Sequence, residues 1–154
     1  MREAEAERIP VLAGPVLRRV DRHRLVLWLV ARRPLALELG LYESDERCPS
    51  LRAALSDAQC RILPLGEHAH VHLIDVALEA PLPEDTLIGY DLTVEGQGGV
   101  ADWAPHLLYS GQQRPAFVLH SRRRQLLHGS CRKPHHKDRD GLVRLSREKD
   151  RREE

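Results

Sequence analysis

Apolar and polar residues alternate with a period of two in two stretches of this chain, residues 35–41 and 86–95. Leucine occupies every second position of the first stretch, and isoleucine, tyrosine, leucine and valine do so from residue 88 to 94 of the second. Successive side chains of a β-strand point to opposite faces, so this period predicts strands with one buried face. No segment in this part of the chain has the sustained 3.6-residue period of an amphipathic helix. The pattern therefore predicts a mainly β fold.

Other apolar segments predict further strands between turn signals. Residues 11–20 are interrupted by Gly14-Pro15, which predicts a bulge or an edge strand, and residues 24–30 are apolar on both faces, as in a central strand covered on both sides. Short strands at roughly ten-residue spacing favour an antiparallel β-sandwich. The remaining predictions are strands at 60–65, 69–78 and 115–119, turns at 21–23, 81–85 and 96–99, a surface loop at 43–59 with a helical turn near 51–55, and an irregular connection at 100–114.

Composition limits the classes of partner and the compartment. The net charge is +1, from 24 basic and 23 acidic residues, so no overall field attracts nucleic acid or anionic lipid. Three widely spaced cysteines, Cys48, Cys60 and Cys131, do not form the disulfide framework of a small secreted domain. The N-terminal residues lack a signal-peptide core, and no window reaches the ~18 apolar residues of a membrane-spanning helix. These features predict a cytoplasmic protein with no membrane partner and no nucleic-acid partner.

The character of the sequence changes after the strand predicted at 115–119, where basic residues become frequent. We expect a domain boundary near residues 119–125. The predicted organisation is a disordered N-terminus at 1–10, a β-sandwich domain at 11–120, the strand-turn-helix start of a second domain at 121–145, and a charged, frayed tail at 146–154.

One element near the C-terminus has the layout of a site. An apolar lead-in at residues 125–127 runs into Gly129-Ser130-Cys131, which predicts a buried strand that delivers one thiol to the mouth of a site. Two interpretations remain open: Cys131 is a thiolate metal ligand favoured by its basic neighbours, or it is a buried structural thiol. A self-contained zinc site with His128, His135 and His136 is not expected, because the spacing lacks the paired knuckles of such sites.

Other chemistry-bearing residues are explained by local structure. Asp21-Arg22-His23 has the Asp-x-His form of some two-metal sites, but turn chemistry accounts for it between two strands. His70 and His72 share one face of a strand, which we interpret as a solvated polar face and not as a pair of metal ligands. The basic run at 122–124 lacks the interleaved aromatic residues of a nucleic-acid site, so it predicts a linker or a phosphate-attracting rim.

These segments resemble a known family. Residues 11–20 and 24–30 look like the opening of bacterial alkaline phosphatase D-like (PhoD-like) metallophosphatases, and residues 83–91 and 105–109 fit the later part of their N-terminal sandwich. The segment 128–136, His-Gly-Ser-Cys-Arg-Lys-Pro-His-His, is similar to the first strand of their catalytic domain, which carries a Gly-Ser-Cys or Ala-Ser-Cys element. The resemblance extends to about Leu145, and its Cys element is the most specific part.

The resemblance implies a fold and an activity. It implies an immunoglobulin- or fibronectin type III-like sandwich followed by a truncated α/β metallophosphatase domain. In the family the cysteine ligates a ferric iron, calcium ions complete the cluster, and the enzyme hydrolyses phosphate monoesters or diesters. By resemblance Cys131 is the iron ligand and the single site residue carried over to this chain. The other ligands should follow Cys131, and the chain ends before them, so we expect it to bind no metal stably and to be inactive alone.

The leading hypothesis is therefore an N-terminal fragment of a PhoD-like phosphatase or phosphodiesterase, whose substrate would be a phosphate ester once the catalytic domain is complete. Whether the chain acts as an enzyme is left open. The alternative hypothesis is a non-catalytic β-sandwich that binds a protein or a carbohydrate. A third hypothesis, an adaptor that binds nucleic acid through its basic tail, is weaker.

Overall fold

The computed structural model describes residues 10–44 and 46–122. Within these ranges the chain is mainly β, as its period of two predicts. The eight strands are β1 Val11–Asp21, β2 Arg24–Ala31, β3 Leu37–Glu43, β4 Leu51–Ala54, β5 Cys60–Gly66, β6 Ala69–Ala77, β7 Leu87–Val94 and β8 Ala116–Val118; the helices are α1 Val100–Trp103 and the 3-10 helix η1 Pro105–Leu107.

The strands form two four-stranded sheets. The first sheet has the order β1-β2-β6-β5 and the second the order β4-β3-β7-β8. Every pair of neighbouring strands is antiparallel. The antiparallel β architecture predicted from the sequence is thus present. It leaves β1 and β5 as the edges of the first sheet and β4 and β8 as the edges of the second.

One hydrophobic core receives side chains from both sheets. Every second residue of β2, from Leu25 to Ala31, is buried without solvent exposure, and the alternate residues of β3 are buried as predicted. The core is mostly aliphatic. One indole also contributes: Trp103 of α1 is 3% exposed, and its Nε1–H donates a hydrogen bond of 3.2 Å to the carbonyl of Leu92. This bond closes α1 over the end of β7 and satisfies the indole donor inside an apolar environment.

Two predictions about the strands are wrong. Residues 51–54 form the edge strand β4 and not a helical turn, because they pair with β3 and are held at both ends by backbone bonds from Ser50 to Leu41 and from Leu55 to Leu37. A four-residue strand is too short to display a clear period of two. Strand β2 is central, as predicted, but it is not covered on both sides, since its outer residues stay half-buried.

The break at Gly14-Pro15 lies in an edge strand, as predicted. Among the described strands, β1 pairs only with β2, and its register shifts on both sides of the break. Gly14 has φ +88°, and a Cβ built there would lie 2.8 Å from the carbonyl oxygen of Trp28. An L-residue with a side chain would be strained at this φ and would also collide with β2, so glycine is required here.

The connection predicted as irregular contains α1 and η1, which are one turn each. No helix among residues 10–44 and 46–122 has the length and apolar character that crossing a bilayer would require. Several predictions lie outside the described residues. They are the disordered N-terminus predicted at 1–10, apart from Pro10, the part of the strand-turn-helix start at 121–145 that follows residue 122 and carries Cys131, and the charged tail at 146–154.

Candidate functional site

The metal site predicted by resemblance cannot be built from the described part of the chain. Cys131, His128, His135 and His136 all lie outside it. Within residues 10–44 and 46–122, no group of three or more histidine, cysteine, aspartate or glutamate side chains is placed to hold a metal ion. These residues therefore do not fit iron or calcium, and no chemistry of either metal can be assigned to them.

The Asp21-Arg22-His23 segment is a turn, as predicted. The backbone N–H of His23 donates to Oδ1 of Asp21 at 3.0 Å, and Nη2 of Arg19 lies 2.9 Å from Oδ2. The His23 N–H and then the Arg19 guanidinium hold the pKa of the Asp21 carboxyl below its ordinary value. Both carboxylate oxygens are thus engaged in closing the turn from β1 to β2.

The interpretation of His70 and His72 as a solvated face is wrong for His72. Its imidazole is completely buried. The backbone N–H of Leu35 donates to its Nε2 at 3.0 Å, so the proton is on Nδ1, which lies 3.2 Å from the carbonyl of His70. Burial lowers the pKa of His72, which keeps the ring neutral. The alternation of side chains along the strand was the available signal, because His72 points to the same side of β6 as the buried Ile74 and Val76.

The two cysteines within the described ranges are free thiols in different environments. Cys48 is exposed, and Cys60 is buried in the core. Burial raises the pKa of the Cys60 thiol, which favours the protonated, unreactive form. Cys60 is therefore a packing residue.

The outer face of the first sheet is unusually apolar. One cross-strand row contains Val16, Trp28 and Leu73 and ends at Arg61, and a second, wholly apolar row ends at Leu63. Val16, Leu73 and Leu63 are 37%, 40% and 44% exposed. The solvated face of an antiparallel sheet is ordinarily polar, and exposed apolar residues grouped on such a face are typical of an interaction surface. We name this surface the apolar face; it comprises Ala13, Val16, Trp28, Val30, Leu63, Val71 and Leu73.

The end of the described chain is tied to the second sheet through Asp85. Its backbone N–H donates to the carbonyl of Leu119 at 2.7 Å, and its carboxylate accepts hydrogen bonds from the N–H and the hydroxyl of Ser121. Nδ1 of His120 lies 3.5 Å from the same carboxylate. The Ser121 hydroxyl and then its N–H lower the pKa of Asp85, so the carboxylate is charged at neutral pH. We name this arrangement the exit latch.

A third arrangement fixes an arginine on the outer face of the second sheet. Tyr42 and Gly89 are cross-strand partners, and the guanidinium carbon of Arg114 lies 3.6 Å from the centroid of the Tyr42 ring. Nη1 of Arg114 also donates to the carbonyl of Glu46 at 2.9 Å. A Cβ at Gly89 would lie 2.7 Å from Cδ of Arg114, so the absence of a side chain there makes room for the arginine.

Arg114 borders a surface cleft of about 280 Å³. We name it the arginine cleft; its polar and glycine lining includes Ser44, Arg47, Gly89, Gln112, Gln113 and Arg114. The cleft is not predictable from sequence periodicity, because its residues come from three separated segments. A glycine inside the alternating pattern of β7 was the available signal, since it often marks a close approach by another group.

Comparisons of the chain with protein-family models, with curated proteins and with solved structures returned no match. The PhoD-like resemblance therefore stays a prediction.

Proposed function

We propose that this chain is the N-terminal part of a PhoD-like metal-dependent phosphatase or phosphodiesterase and that its β domain is immunoglobulin-like. The observation that carries the immunoglobulin-like part of the proposal is the strand order, whereas the metallophosphatase part rests on the resemblance of residues 128–136. With the strands lettered A, B, C, C′, D, E, F and G along the chain, the first sheet reads A-B-E-D and the second C′-C-F-G. Immunoglobulin-like domains have A-B-E-D on one sheet and C-F-G on the other, with C′ beside C in the variable type.

The end of the β domain supports the same proposal. Strand β8 stops at Val118, and the exit latch holds residues 119–121 shortly before Gly129-Ser130-Cys131. In the proposed arrangement the catalytic domain begins with that element, and Cys131 is its iron ligand. A thiolate suits a transition metal because it is a soft, strongly donating ligand.

In this proposal the β domain takes no part in catalysis. Its described residues contain no group of three or more histidine, cysteine, aspartate or glutamate side chains placed to hold a metal ion. Hydrolysis of the phosphate ester, with the iron and calcium of the family, would therefore belong to residues that follow the β domain. The free thiols of Cys48 and Cys60 support a reducing cytoplasm as the location.

The test is to read the gene beyond the codon for Glu154 in all three frames and to express the longest product. We expect Gly-Asp and Gly-Asn-His elements downstream, bound iron, and hydrolysis of an aryl phosphodiester. Cys131→Ser should lose the iron and its visible thiolate absorption, while Cys48→Ser, an exposed cysteine, should retain both. Absence of those elements in every frame would overturn the proposal, and so would full iron binding by Cys131→Ser.

A second function, an interaction module, is favoured by the apolar face. Here the β domain would bind another protein through the rows that contain Trp28 and Leu73. A photo-crosslinking residue placed at position 73 should join the chain to a defined protein in cells. The same residue at Tyr109, which is 75% exposed and lies off the face, should not. Equal labelling from both positions would count against this function.

A further inference from the structure

The arginine cleft has the charge of an anion site. Two of its described lining residues, Arg47 and Arg114, are cationic, and none of the lining residues in the ranges 10–44 and 46–122 is an aspartate or a glutamate. Within the described ranges, the arginine–carboxylate pairs closer than 4.0 Å involve other arginines, namely Arg19, Arg24 and Arg52. The positive charge of the cleft is therefore not neutralised by a described carboxylate.

One of the two arginines is held in place before any ligand binds. The Tyr42 ring, the Glu46 carbonyl and the space above Gly89 together fix the Arg114 side chain. A guanidinium carries five N–H donors in a planar fork, and only Nη1 of Arg114 donates to a described acceptor. Donors remain for a ligand, and little side-chain freedom is lost when it binds.

The other polar groups of the cleft suit the same ligand. Gln112 and Gln113 add amide donors, and the hydroxyl of Ser44 can donate as well. A planar guanidinium matches the oxygen pairs of carboxylate and phosphate groups, which it binds with two parallel hydrogen bonds. The volume of about 280 Å³ admits a small group and not a folded partner.

We propose that the arginine cleft binds a small oxyanion, the phosphate or carboxylate group of a ligand, between Arg47 and Arg114. This site lies on the outer face of the second sheet and is built entirely from the β domain. It does not depend on Cys131 or on the metallophosphatase proposal.

The test is an NMR titration of the full, isotope-labelled chain with sodium phosphate and, separately, with sodium succinate. Sodium chloride at matched ionic strength is the blank. We expect saturable shifts at Gln112, Gln113 and the Arg47 guanidinium with at least one of the two anions. Saturation by phosphate alone assigns the site to phosphate groups, and saturation by succinate alone assigns it to carboxylates.

The variants separate a ligand site from a structural role of the arginines. Arg47→Ala should raise the dissociation constant for the anion by about tenfold or more, because it removes charge-assisted hydrogen bonds. Among the described residues, Arg47 makes no side-chain hydrogen bond or ion pair, so this variant should keep the fold. Arg114→Lys keeps the charge but removes the planar fork, and it should also weaken binding. Arg61→Ala removes an exposed arginine of β5 and should change nothing. Shifts that never saturate with either anion, or equal weakening by Arg61→Ala, would overturn the proposal.

Discussion

The backbone N–H of Leu35 donates a hydrogen bond of 3.0 Å to Nε2 of His72, inside the core. His72 belongs to β6 of the first sheet, and Leu35 lies just before β3 of the second sheet. The bond therefore joins β6 of the first sheet to the segment between β2 and β3, where the chain crosses from the first sheet to the second. It also satisfies a backbone donor that would otherwise be buried without a partner, which is a costly situation.

His72→Leu should lower the free energy of unfolding by about 1–3 kcal/mol, because the Leu35 N–H loses its acceptor. The measurement is urea denaturation followed by circular dichroism. His72→Gln is the matched variant, since a side-chain oxygen can take over the hydrogen bond, and it should lose less. Equal stability of His72→Leu and the wild type would contradict the assigned role of the imidazole.

The stability of the protein should fall as the pH drops below 6.5, the ordinary pKa of histidine. Burial lowers the pKa of folded His72, so in this range the unfolded chain binds a proton that the folded chain does not. The His72 contribution is constant above 6.5 and is lost progressively as the pH falls toward the lowered value. Thermal unfolding of the wild type and of His72→Gln at several pH values measures the difference. Parallel curves for the two proteins would show that His72 does not titrate in this way.

Asp85→Gly should remove the side-chain hydrogen bonds of the exit latch. The backbone conformation should be kept, because Asp85 has φ +56° and glycine adopts a positive φ readily. The amide of Ser121 loses its acceptor, Oδ1 of Asp85 at 3.2 Å, and should exchange its hydrogen faster. Hydrogen–deuterium exchange with mass spectrometry measures the change. Asp85→Asn keeps a side-chain acceptor and should show a smaller effect. Unchanged exchange at Ser121 in the glycine variant would rule out the latch.

Gly89→Ala should lower the free energy of unfolding by about 1–3 kcal/mol, the usual cost of overpacking. The added Cβ would meet Cδ of Arg114 at 2.7 Å and push the guanidinium off the Tyr42 ring. In an Arg114→Ala background the same substitution should cost much less, and this double-mutant cycle measures the coupling. An equal cost in both backgrounds would mean that Gly89 is required for another reason.

Gly14→Ala should destabilise the protein more than Gly96→Ala. Both glycines have positive φ, +88° and +74°, but only at Gly14 does a Cβ meet the opposing strand, 2.8 Å from the Trp28 carbonyl. The comparison separates the cost of the backbone conformation from the cost of the collision. Thermal unfolding of the two variants measures it, and equal melting temperatures would contradict the collision.

Sequence periodicity was sufficient for the central strands and insufficient for the edges. Residues 35–41 and 86–95 alternate clearly because each forms an interior strand with one face in the core. Residues 51–54 were misassigned because a short edge strand buries only two of its side chains partly. The double-sided apolar pattern at 24–30 was real, but it reflected the apolar face and not a covering layer.

What the sequence alone determined is the period of two, the positions of the turns and the break at Gly14, because each depends on residues that are near neighbours in the chain. Only the tertiary structure decided that His72 accepts the hydrogen bond of the Leu35 N–H and that Asp85 contacts Ser121. The same holds for the stacking of the Arg114 guanidinium on the Tyr42 ring. A periodic pattern shows which face of a strand is buried, but it does not show which distant residue lies opposite. That choice follows from the pairing and stacking of sheets, in which contacts between residues far apart in the chain form together.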